Sequence, residues 1–229
     1  MKSIMKTTTF LKGIFISASL LTVLSVKGQC GYCNSYEDFL NGRWEHLDTV
    51  YSDHHSKSRQ LWWGGNDFTI TTGNDDIDKK LKKEIFAVKQ ADTLFLNCRN
   101  LRFEKTLFGN GYVKARRIGE RSIFFVNRTI GKDAASNQQA SAYMFGILGA
   151  ATAINKNLKN QVCYVISEGA DEKGHITIRM IDDQLMRQML VGQYDLLNEY
   201  YAEENKYDRL LAVHIVPILE KSGLFSQAK

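Results

Sequence analysis

Four groupings in this sequence are of residue types that could do chemistry or recognition. The first is Cys30-Gly31-Tyr32-Cys33, the spacing of a dithiol pair. Such pairs exchange electrons when they follow a strand and open a helix, where the dipole lowers the pKa of a thiol. The second is His46, Asp48, Asp53, His54 and His55. Imidazole and carboxylate together could hold a divalent ion with a water on it, and residues two apart on a strand share a face. His46, Asp48, His54 and His55 are therefore the candidate metal ligands. Trp62 and Trp63 stand before Gly64-Gly65, two indoles beside a turn, and are the candidate binding residues for a sugar ring or a protein. Finally, Ala142, Gly146 and Ala150 recur every four residues within an uncharged run from Ala142 to Ile154. A stripe of small residues lets helices approach closely. The run is shorter than the roughly 20 residues that span a bilayer, so a helix buried against a sheet is expected, with oligomerisation or membrane contact as the alternative.

The beginning of the chain limits what the cysteines can do. Lys2, Lys6 and Lys12 precede fourteen uncharged residues, Gly13 to Val26, and a polar exit through Lys27, Gly28 and Gln29. This order of basic, apolar and cleavable segments is that of an export signal spanning residues 1–28, with the mature chain starting at Gln29. The whole sequence carries 30 basic and 25 acidic residues, a formal +5. Four lysines leave with the signal, so the mature chain has 26 against 25, or +1. That balance gives nucleic acid no electrostatic footing. Cleavage also leaves the dithiol pair at the new N-terminus with no strand before it, which favours a local disulfide or clip over redox catalysis. In an oxidising envelope the even count of Cys30, Cys33, Cys98 and Cys163 suggests disulfides, and four cysteines allow three pairings. Cys30 with Cys33 and Cys98 with Cys163 is the preferred set.

The elements that must position these groups fall into two texture classes. Residues 44–128 read as β: Phe68 to Thr72, Thr93 to Asn97, Tyr112 to Ala115 and Ser122 to Val126 are short, aromatic or β-branched, and separated by Gly and Asn turns. A helical turn capped by Ser35 precedes them, and Lys79 to Lys83 forms the wet side of an amphipathic turn. A helix over about 138–157 and a hairpin over 161–181 follow. Helices over 183–221, opened by Asp182 or Asp183 and bent or restarted at Pro217, complete the chain. Strands first and helices last, without βα alternation, indicate one α+β domain over 29–229. It has an N-terminal antiparallel β-rich part, a mid-chain helix, a β-hairpin and C-terminal helices.

Phe86-Ala87-Val88-Lys89, Asp92-Thr93-Leu94-Phe95-Leu96-Asn97-Cys98-Arg99-Asn100-Leu101 and Phe108-Gly109-Asn110-Gly111-Tyr112 resemble a family of exported Bacteroidota proteins with a domain of unknown function. The resemblance implies an envelope location in a Gram-negative bacterium and carries no functional residue. The sequence holds no Ser-His-Asp elbow, phosphate loop or dinucleotide fingerprint, and no catalytic residue or cofactor is expected. A non-enzymatic binding or structural role in the periplasm or envelope is the favoured reading, with another envelope protein, a glycan or a second copy as partner. No transmembrane helix is expected in the mature chain. The alternatives are a metal-assisted hydrolase using the histidine region and a membrane-surface or oligomerising module using Ala142 to Ile154.

Overall fold

In a computed structural model the described residues are 30–56, 60, 66–128, 161–170 and 176–225. The expected signal segment, Trp62 and Trp63, and the Ala142 to Ile154 helix lie outside them. Twelve strands are described: β1 (Cys30–Cys33), β2 (Glu45–Leu47), β3 (Tyr51–His54), β4 (Phe68–Thr71), β5 (Ala87–Gln90), β6 (Thr93–Asn97), β7 (Leu101–Phe103), β8 (Thr106–Leu107), β9 (Tyr112–Ile118), β10 (Ser122–Arg128), β11 (Gln161–Ala170) and β12 (Ile176–Met180). Helix α1 (Tyr36–Leu40) follows β1 and α2 (Asp75–Lys83) follows β4. The C-terminal helices are α3 (Asp183–Met189), α4 (Tyr194–Tyr201), α5 (Lys206–Arg209) and α6 (Ala212–Lys221). The mixture is α+β, as the sequence indicates.

One sheet path runs β2-β1-β5-β6-β9-β10-β11-β12-β7-β8, and the β3–β4 pair joins it where Phe68 meets Tyr112 on β9. Pairings among the described strands are antiparallel except that of β7 with β12. This exception curls the sheet. The chain leaves β6 at Asn97 and, from Leu101, pairs as β7 with the far side of β12. A short link thus joins strands that lie far apart along the hydrogen-bonded path, and the sheet wraps around its inner face.

Period-two alternation then sorts the side chains. On β10, Ile123 and Phe125 point inward while Phe124 and Val126 point outward; on β11, Val162, Tyr164 and Ile166 alternate with Cys163 and Val165 in the same way. The interior is filled by aromatic rings, with Phe108, Phe125 and Tyr164 packed at centroid distances of 5.0–5.5 Å. Two outer layers cover the other face. Helices α3, α4 and α6 bury Phe124, Cys163 and Val165. Helix α2 and the β3–β4 pair cover Tyr32, Val88, Phe95 and Tyr112.

Two local expectations are corrected. The amphipathic turn expected around Lys79 to Lys83 is a full helix capped by Asn74, whose side chain accepts from the Asp76 and Ile77 backbone N–H groups at 3.0 and 3.3 Å. The C-terminal helix runs through Pro217 instead of restarting there, and the break falls earlier, between α5 and α6. Ser35 and Asp182 cap α1 and α3 as read.

Candidate functional site

The dithiol pair sits on a strand. β1 is paired on both edges, with β2 and with β5. An extended strand places residues three apart about 10 Å from one another and on opposite faces. Disulfide geometry requires Cα atoms within about 7 Å. Cys33 accordingly belongs to the inner core, while Cys30 packs against the outer layer under α2. Cys98 lies in the inner core and Cys163 in the outer layer under the C-terminal helices, so the sheet itself separates them. All four cysteines are free thiols. Both preferred pairings are thereby corrected. Burial also pushes the Cys33 thiol up to about 12 and raises those of Cys98 and Cys163, the reverse of what a redox thiol needs.

The histidine region does not converge either. His46 Nε2 lies 3.4 Å from Asp48 Oδ1, both side chains standing in solvent. His54 and His55 are consecutive and turn to opposite sides. His54 sets its ring edgewise on Phe68 at 5.0 Å. His55 is buried, with Nδ1 2.9 Å from the Asn66 carbonyl and Nε2 2.8 Å from the Thr69 hydroxyl, so both ring nitrogens are engaged. Among the described residues, no three His, Cys, Asp or Glu side chains stand together as a metal ion would require. The structure does not bring His46, Asp48, His54 and His55 together as one ligand set.

Asn66, to which no motif in the sequence points, holds the base of this region. Its amide nitrogen faces the carbonyls of Phe108, Gly109 and Asn110 at 3.2, 3.3 and 2.9 Å, and its amide oxygen accepts from Asn127 at 2.9 Å. Gly111 permits this approach. It sits at φ +94°, and a Cβ there would meet the Phe68 carbonyl at 2.9 Å. A second buried polar group ties the helices together. Arg209 grips Asp183 through two hydrogen bonds of 3.0 and 2.8 Å, and Tyr200 donates to the same carboxylate at 2.7 Å. The Arg209 hydrogen bond holds the Asp183 carboxyl below the usual carboxylate range. Both arrangements are saturated by protein partners and serve the fold.

Among the described residues, a cleft of about 220 Å³ lies where the start of α1, the α2–β5 link, the β6–β7 link and the ends of β11 and β12 meet. Ile85, Phe86, Leu101 and Ile176 give it buried apolar walls, and Asn34, Glu37, Glu84 and Asn100 line it as exposed polar groups. Gly169 on β11 makes room for one of these. A Cβ at that position would overlap the Glu37 carboxylate, 2.1 Å from Oε1. The described lining carries no cysteine, histidine, lysine or arginine. Its chemistry is therefore recognition by carboxylate and amide side chains above an apolar surface. None of its residues was read from the sequence as part of a site, because Glu37, Glu84 and Asn100 lie in different elements and no spacing relates them.

A model of one protein family, described as a family of unknown function (DUF6563), matches residues 31–226. No curated protein and no solved structure matches the chain.

Proposed function

The chain belongs to this family of unknown function, and we propose that it is an exported envelope protein that binds a ligand or partner rather than one that catalyses a reaction. The cleft beside α1 is the observation that carries the reading. A concavity with apolar walls and a few convergent polar groups is the usual form of a small-molecule site. Two other features support it. The basic, apolar and cleavable order of residues 1–28 fits export. The groups best suited to catalysis are spent on structure: His55 on Asn66 and Thr69, Asp183 on Arg209 and Tyr200, and three thiols on the packed cores.

Fractionation of the native host followed by intact mass tests export, with a mature chain starting at Gln29 expected in the envelope fraction. An unprocessed chain in the cytoplasm would overturn that part. For binding, a small-molecule fragment set screened by NMR should produce saturable shifts clustered at Phe86, Leu101 and Ile176. Fragments that bind only elsewhere, or none that bind at all, would overturn the assignment of the cleft.

A further inference from the structure

The link before β9 carries an Asn-Gly pair, Asn110-Gly111, and protein groups act on both of the atoms that react with each other in such a pair. Asn110 is exposed, and its side-chain Oδ1 accepts from the Arg99 guanidinium at 3.1 Å. Arg99 is set in place by the buried Asn97, whose Oδ1 accepts from the Arg99 backbone N–H at 3.0 Å. The Asn110 main-chain carbonyl accepts from the Asn66 backbone N–H at 2.8 Å and from Asn66 Nδ2 at 2.9 Å. A guanidinium on Oδ1 makes Cγ more electrophilic. Two donors on the peptide oxygen draw charge toward it and make the Gly111 N–H a stronger acid. Among the described residues no acceptor takes that N–H, and glycine puts no side chain in the path of attack.

Asn41-Gly42 is a second such pair in different surroundings. It ends α1, where the Gly42 N–H donates to the Phe39 carbonyl at 3.3 Å. Among the described residues nothing bonds the exposed Asn41 side chain.

We propose that Asn110 is a self-modification site, its amide converted within the folded protein to a carboxylic acid through Gly111. Hydroxide takes the Gly111 amide proton, and the nitrogen attacks Asn110 Cγ. The new N–Cγ bond closes a succinimide as the Cγ–Nδ2 bond breaks, and Nδ2 leaves as ammonia with a proton from water. A second water then opens the ring. Opening at Cγ keeps both Asn66 contacts and sets a carboxylate against Arg99, a charge-assisted pair. Opening at the main-chain carbonyl reroutes the chain through the side chain and gives up the Asn66 contacts. The site depends on neither export nor ligand binding.

The test holds the full mature protein in mildly alkaline buffer and follows, by peptide mass mapping, the amide-to-acid mass gain at Asn110 and at Asn41. In the folded protein Asn110 should convert about tenfold faster than Asn41, the scale of one hydrogen bond to a developing charge. Arg99→Gln, at an exposed position, should slow Asn110 and leave Asn41 unchanged. In urea, where the folded contacts are gone, the two rates should converge. Asn110 no faster than Asn41 in the folded state, an unchanged Asn110 rate in Arg99→Gln, or a gap that persists in urea would each overturn the proposal.

Discussion

A cysteine's chemistry here is decided by how deeply it is buried, on either face of the sheet. Cys33 and Cys98 are 1% and 0% exposed in the inner core, and Cys163 is 0% exposed on the outer face, while Cys30 is half-buried. An alkylating reagent applied to the native protein should therefore modify Cys30 first and the other three only after unfolding, as intact mass would show. Rapid labelling of all four in the native state would contradict the burial. The same burial predicts an alkaline limit. A thiol in the unfolded chain ionises near pH ~8.5, whereas burial pushes Cys33 up to about 12. The stability gained by keeping it neutral is complete below the unfolded value and is lost as pH rises toward the folded one. Urea midpoints should thus fall between about pH 8.5 and 12, and Cys33→Ala should make that decline shallower.

At the scale of elements, local signals and tertiary contacts divide the work. Ser35, Asn74 and Asp182 start their helices through hydrogen bonds that reach only two or three residues ahead. The packing of α3 against α4 and α5 depends instead on Arg209 reaching Asp183 and on Tyr200 sharing that carboxylate. Arg209→Met would leave Asp183 with Tyr200 as its remaining side-chain partner named here, at an expected cost of about 2–3 kcal/mol. The pH dependence follows from the lowered Asp183 pKa. Its contribution is present above the unfolded value of about 3.9 and disappears as pH falls through the lower folded value. Urea unfolding of wild type and variant across acidic pH should show the stability gap narrowing below about pH 4. A gap independent of pH would mean that the ion pair is not what Arg209 contributes.

Across the whole molecule, neighbouring residues serve separate cores. Phe125 is buried in the inner core with Phe108 and Tyr164, whereas Phe124 meets Phe225 in the helical layer at 5.1 Å. Phe125→Ala should remove about 3–5 kcal/mol and speed hydrogen exchange throughout the sheet. Phe124→Ala should raise exchange first in α3 to α6 while β5, β6 and β9 stay protected. Equal effects of the two variants on both regions would show that the cores do not act as distinct units.

The residues that announced themselves in the sequence were those governed by local physics. Aromatic and β-branched content in Ser122 to Val126 named a strand, and Ser35 and Asp182 named helix starts, because strand propensity and capping act within a few residues. The α+β class follows from the same patterns. The strand order of the sheet, the strand at Cys30–Cys33, the separation of the four thiols and the grouping of Glu37 with Glu84 depended on register between segments far apart in the chain. A shift of one residue in register exchanges the two faces of a strand. No short-range signal carries that information for β1, whose Gly and Cys look like a loop until β2 and β5 pair with it. The groups that could do chemistry were thus visible in the sequence, but tertiary pairing dispersed the histidines and thiols and assembled a polar-rimmed cleft from residues that had looked unrelated.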